Sequence, residues 1–224
     1  MTCFHSNYAA VARLVLEREP EGVDGLLADL GVSSMQLDDP ERGFTFKRDG
    51  VLDMRLDVTR GTPAWERFAR WDAEALELVL RDNADEPRSA ELAASLLRSQ
   101  ARAPLRTTTA LADAVRAALP RALPTEDVLA TTRRVFQAVR IAVNDEFAKL
   151  DALLATLPLV LKPGARAAFL SFHSGEDRRV KLALRAGAQL GTYSQVSEMV
   201  RPSWAEQRSN SRSASAKLRW VQKA

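Results

Sequence analysis

One cysteine, Cys3, is all that the 224 residues contain. An internal disulfide framework and a cysteine-rich zinc site are thereby excluded. No apolar run reaches the roughly 20 residues of a membrane span, so no membrane partner is expected. The first twenty residues, MTCFHSNYAAVARLVLEREP, lack the basic-then-apolar layout of a signal peptide. These absences together fit a reducing, cytoplasmic setting. There is no internal repeat and no low-complexity tract.

What is present is an ordinary globular composition with an uneven charge. The net charge is +3. Residues 161–224 carry 12 Lys and Arg against 4 Asp and Glu, while residues 1–160 carry 20 against 25. A basic C-terminal third suits a polyanion such as RNA, and equally a solvated basic surface.

The organising stretch is Asp24-Gly-Leu-Leu-Ala-Asp-Leu-Gly-Val-Ser-Ser-Met-Gln-Leu-Asp38. Leu26, Leu27 and Ala28 open it, Asp29 follows, and Gly31 and Ser33-Ser34 break it. This reads as a buried strand over about 25–30 that delivers Asp29 to its C-terminal tip. Strand tips are where open α/β sheets bind ligands, and an acid there accepts hydrogen bonds from amines or hydroxyls. The next twenty residues, from Asp38 to Asp57, hold six acids, four bases and two glycines, with Phe44 and Phe46 two apart. No amphipathic period fits them. A long charged loop with apolar anchors inside a compact chain points to binding.

The rest divides by period. A helix is expected over about 7–18. Residues 59–157 read as helical throughout, with Asp72 and Thr107 as N-caps. A long helix starts at Pro124-Thr125, and its apolar stripe runs from Phe136 through Val143 to Leu154. After a turn at Lys162-Pro-Gly-Ala165, residues 166–172 form a second buried strand ending at His173-Ser174. A helix restarts near Glu176, and two weaker strands lie near 192–196 and 218–222, with a Ser/Arg-rich loop between them. Strand, helices, then strand, helix and strands predicts a parallel α/β sheet with a helical insertion. The expected division is 1–58 and 141–224 for the core and 59–140 for the insertion.

Four stretches, in order, resemble the signature of the bacterial small-subunit ribosomal RNA (cytosine-N4) methyltransferases, the H-type or MraW family. They are Asp29 to Asp57, Phe136-Gln-Ala-Val-Arg-Ile-Ala-Val-Asn-Asp-Glu146, Ser171-Phe-His-Ser-Gly-Glu-Asp-Arg-Arg-Val-Lys181 and Ser211-Arg-Ser-Ala-Ser-Ala-Lys-Leu-Arg219. The resemblance implies a Rossmann-like class I methyltransferase core with an inserted helical substrate domain. It implies methyl transfer from S-adenosyl-L-methionine to the exocyclic N4 of a cytidine in 16S rRNA of the small ribosomal subunit, with no metal. Tyr8, in His5-Ser-Asn-Tyr8, stands where the family has a cofactor-facing aromatic residue, and Asp29 and Gln36 match its cofactor contacts. Arg48, Arg55, Arg140 and Arg178 are candidates for RNA contacts. Asp53, Asn144 and His173 are the catalytic candidates, with no roles assigned. Phe44 and Phe46 can stack on a flipped base or anchor their loop.

Two departures from the family bear on activity. The family begins with a Gly-rich motif and a ribose-holding acid ahead of the Asp29 strand, but no glycine here precedes Gly22. A region of about 70 residues, two or three strand–helix units, is therefore expected to be missing. The expectation is that this chain alone is weak or inactive, as a split gene, a truncated reading or a degenerate copy. A separate N-terminal fragment would be its partner, and an RNA-binding remnant without catalysis is the alternative. The smaller departure is Met35 and Val51 at places where the family has proline.

Overall fold

In the computed structural model, residues 2–224 are described, Ser34 and Asp38 by their backbone only. The chain forms two compact units, one from residues 1–31 and 146–224 and the other from 32–145. The architecture is mixed α/β.

The first unit is built on four strands. β1 (Val23–Asp29) pairs in parallel with β2 (Leu161–Ser171), Leu26 opposite Ala167 and Asp29 opposite Leu170. β3 (Tyr193–Val196) and β4 (Lys217–Lys223) are antiparallel to one another, and β4 is antiparallel to β2. The order is β1-β2-β4-β3, so the sheet is mixed and not parallel as expected. Past β3 the chain still runs beside β4, with Val200 bridging Leu218, and then returns as β4. A return of that kind gives antiparallel neighbours.

The expectation of a buried first strand is also corrected. Leu27 is 74% exposed and Asp29 is exposed. β1 is an edge strand, and side chains alternate between its faces, so Leu26 and Ala28 pack partly inward while Leu27 and Asp29 face out. β2 alternates likewise, burying Ala165, Ala167, Phe169 and Ser171 and leaving Arg166 exposed.

Helices α1 (Val11–Leu16), α2 (Ser34–Asp38), α3 (Ala64–Phe68), α4 (Ala73–Ala84), α5 (Ser89–Arg102), α6 (Thr108–Ala118), α7 (Thr125–Asn144), α8 (Glu146–Val160), α9 (Ser174–Gln189) and α10 (Trp204–Ser209) complete the chain. In the first unit, Leu150, Leu153 and Leu157 of α8 and Val180 and Leu184 of α9 close over Phe169 and Val221. Arg219, buried in β4, donates to both carboxylate oxygens of Asp177 at 2.7 and 3.2 Å and so ties α9 to the sheet. The expected Ser/Arg-rich loop is α10 followed by a 3-10 turn over Ser211–Ser215.

In the second unit the helices share a core that includes Leu76, Leu80, Leu92, Leu111, Val135 and Val139. The two expected caps form: Asp72 accepts from Ala75 N–H at 2.8 Å and Thr107 from Ala110 N–H at 3.2 Å. The single long helix expected through Leu154 is instead broken at Asp145, whose φ of +49° ends α7 and restarts the chain as α8. The charged loop 39–57 packs Phe44, Leu52 and Met54 into the helical core. That is why the units divide at 31/32 and 145/146 and not at 58 and 140.

Candidate functional site

Within the first unit the tips of the two parallel strands carry the most concentrated chemistry. Leu30 N–H donates to Leu170 O at 2.9 Å, so the pairing runs to the end of β1. Gly31, at φ +90°, then turns the chain away, a conformation that residues with a Cβ rarely adopt. Asp29 therefore stands at the rim. Its carboxylate makes no hydrogen bond or ion pair with the described residues.

At the tip of β2, His173 is the N-cap of α9, its Nδ1 accepting from Glu176 N–H at 3.4 Å. Glu176 answers by accepting from Phe172 N–H on Oε2 at 3.0 Å. This reciprocal arrangement is a variant of the capping box. Glu176 is buried, and its Oε1 lies 3.2 Å from His173 Nε2. That distance is in ion-pair range, but the direction is too far off axis for an N–H···O bond, so the buried Nε2 has no hydrogen-bond partner.

The start of α8 joins the same place. Glu146 is buried, and its backbone carbonyl accepts from the Tyr8 hydroxyl at 3.2 Å. The Phe147 ring lies against the His173 ring at 5.8 Å, with the Arg179 guanidinium 4.2 Å over Phe147. A Cβ at Gly175 would run into the Phe147 ring, so only glycine fits that turn of α9. One donor atom from each of Glu146, His173 and Glu176 lies within 4.8 Å of the other two. The structure thus brings Tyr8, Glu146, His173 and Glu176 together. Tyr8, 39% exposed, also lines a cleft of about 550 Å³ with Phe4, Asn7, Val11, Val15 and Arg18, and Asp29 is not in that lining.

Sequence reasoning missed both buried glutamates. His173-Ser-Gly-Glu176 carries the cap-x-x-Glu spacing that marks a helix start, so Glu176 was discoverable. Glu146 had no such signal, because the helix break before it depends on a left-handed Asp145. Arg178, on α9, is exposed.

The remaining candidates lie in the second unit. Gln36 accepts from Ser33 N–H at 3.0 Å through Oε1, closing the capping box of α2. Phe44 is buried, and Phe46 meets Phe136 edge-on at 5.0 Å, so both phenylalanines are core anchors here. Asp53 takes two hydrogen bonds from the Arg55 guanidinium, at 2.8 and 2.7 Å, and a third from Arg55 N–H at 3.0 Å. Burial by itself pushes the Asp53 carboxyl up, but Arg55's hydrogen bonds and charge, with Arg42's charge, hold it below its ordinary value. Arg55 is in turn held more firmly protonated by Asp53. Asn144 is buried, with Oδ1 accepting from Leu56 N–H and Nδ2 donating to the carbonyls of Met54 and Arg140. Arg48 is exposed and Arg140 partly buried.

The model of the MraW methylase family matches residues 1–224. The chain is similar to ribosomal RNA small subunit methyltransferase H 1 of Agathobacter rectalis, 46% identical over 217 residues that make up 93% of this chain and 61% of that protein. It is similar to methyltransferase H 2 of Alkaliphilus metalliredigens, 41% identical over 229 residues, 100% of this chain and 65% of that protein. A third similar protein is ribosomal RNA small subunit methyltransferase H of Myxococcus xanthus, 44% identical over 234 residues, 97% and 74% of the two chains. The chain spans under two thirds of the length of the first two.

Proposed function

The chain belongs to the MraW methylase family, and on that premise we propose that it acts in S-adenosylmethionine-dependent methylation of the exocyclic N4 of a cytidine in small-subunit ribosomal RNA. The observation that carries the reading is the Asp29 carboxylate, engaged by none of the described residues, at the rim of the parallel pair β1–β2, in a chain whose similar proteins are named ribosomal RNA small subunit methyltransferases.

The residues present fit a sulfonium nucleoside. Asp29 offers two acceptor oxygens that no described residue engages, and Tyr8 offers a half-open aromatic face above a cleft. When bound, S-adenosylmethionine supplies a methyl group on a positive sulfur that is a good leaving group. Asp29 accepts the donor groups of the nucleoside or its amino-acid end, and Tyr8 stacks. Gln36, in the second unit, has its side-chain oxygen held by Ser33 N–H.

The cytosine amine is a poor nucleophile, because its lone pair is delocalised into the ring. Holding amine, methyl and sulfur in line is therefore the main lever. An amine that took the methyl group, with the sulfur leaving as the neutral thioether, would become acidic and would shed a proton. Asp53 has its oxygens on Arg55 and Asn144 has its amide on the backbone. His173 has Nδ1 engaged by Glu176 N–H, so its neutral form carries the proton on Nε2. None of the three is free to take the proton, which passes to water at the exposed rim. Asp53 and Asn144 hold the signature loop, and His173 shapes the strand tip. The exposure of Arg48 and of Arg178 supports their reading as phosphate contacts. Ribosomal RNA as substrate puts the protein in the cytoplasm.

The chain acts weakly by itself, because Tyr8 and Asp29 are both exposed while ligand sites ordinarily bury about 70–90% of a ligand. The test is single-turnover methyl transfer. Enzyme stoichiometric with small ribosomal subunits and methyl-labelled S-adenosylmethionine is followed by digestion to nucleosides. Slow labelling of N4-methylcytidine is expected, lost in Asp29→Ala. Label on another nucleoside, or an Asp29→Ala variant as active as the parent, would overturn the reading.

A further inference from the structure

Glu146, His173 and Glu176 carry more than the cap they form. We propose that they bind a divalent first-row transition ion of the zinc type, which pins the start of α8 to the N-terminus of α9. The inference does not rest on methyl transfer.

Three observations support it. The donor atoms, two carboxylate oxygens and one imidazole nitrogen, already lie within 4.8 Å of one another. Two ligands of one zinc ion stand at most about 4.2 Å apart, twice a bond of roughly 2.1 Å, so a small side-chain closure completes the set. His173 Nε2 is buried with no hydrogen-bond partner, a state that calls for an explanation in a folded protein. An ion on its lone pair is one. The three residues also come from two separate stretches held rigidly by the Phe147–His173 contact and by Gly175 under Phe147.

The ligand chemistry sets the class of ion. An imidazole with two carboxylates suits Zn2+, Co2+ or Mn2+, whereas Mg2+ and Ca2+ favour all-oxygen sets. Three protein ligands leave a coordination position for water. Loading moves the ring proton from Nε2 to Nδ1 and so gives up the 3.4 Å contact with Glu176 N–H, which is the longest in the cap. The resemblance implied no metal, and the proposal departs from it there.

Thermal unfolding of the full chain tests the idea after dialysis against a chelator, with ZnCl2 as the probe and MgCl2 beside it. At a hundredfold excess over the dissociation constant, zinc is expected to raise Tm by roughly 5–10 °C, and magnesium not at all. His173→Asn keeps an oxygen that caps Glu176 N–H but lacks Nε2. It should retain the metal-free Tm and lose the zinc shift. Glu146→Gln should weaken zinc by more than about tenfold, since loss of even an outer-shell partner of a ligand costs roughly 10–100-fold. Cys3 and His5 lie on the exposed N-terminal segment and are an independent place for zinc. The double variant Cys3→Ser, His5→Ala must keep the shift. CoCl2 should produce visible absorption bands in the parent that are missing in His173→Asn. A zinc shift that survives His173→Asn, an equal shift with MgCl2, or no shift with any ion would overturn the proposal.

Discussion

Asn144 fastens a strained stretch of backbone with one amide. Met54 sits at φ +63°, where residues with a side chain rarely rest, and Asn144 bonds the backbone that follows it, Met54 O and Leu56 N–H, each at 2.7 Å. Such strain costs about 1–3 kcal/mol and persists only where the surroundings enforce it. Asn144→Ala should lower stability by about 2–4 kcal/mol in urea unfolding, because two buried backbone groups lose their partner. Asp53 yields a pH test. Its folded-state pKa lies below the ordinary 3.8. The pair with Arg55 therefore stabilises the fold above that value and is lost as pH falls through the lower folded value. Asp53→Asn should be less stable than the parent at pH 7, with the gap closing below about pH 4. In the sequence both residues stood in motif positions and read as catalytic. Their true partners were invisible there, since Leu56 lies 88 positions from Asn144.

Among the elements, α9 and β3 meet at a contact that admits no extra atom. A Cβ on Gly187 would overlap the Tyr193 ring. Burial raises the Tyr193 phenol from 10.0 to about 12. The stability linked to it is full below pH 10 and is lost as pH rises towards 12. Gly187→Ala should push the ring outward, cost about 1–3 kcal/mol by overpacking, and return the phenol's ionisation towards 10 in an ultraviolet titration. β1 carries a different liability, a free edge with Leu27 bare on one face. Leu27→Lys should reduce self-association in light scattering and leave Tm within about 1 °C. The strands and caps were legible from period and punctuation, as Asp72 and Thr107 show. The break at Asp145 was not, because a left-handed aspartate inside an apolar stripe leaves the stripe intact. Nor was the exposure of β1 legible: three apolar residues in a row, Leu26, Leu27 and Ala28, look the same in an edge strand as in a central one.

At the scale of the whole chain, two units with separate cores carry one family signature. Residues 32–58 were assigned to the sheet-bearing core by motif order, but Phe44, Leu52 and Met54 pack with the helices. Motif order records the course of the chain, whereas packing follows the nearest apolar surface. The central claim is that Asp29, at the rim of β1, holds the sulfonium nucleoside. Saturation-transfer NMR with S-adenosylmethionine, on the parent chain and on Asp29→Ala, tests it most directly, since an exposed residue at a strand end is replaced with little effect on folding. The account predicts saturable binding with a Kd on the order of 1 mM that disappears in Asp29→Ala. Binding of equal strength in both proteins, or micromolar affinity in the parent, would contradict it.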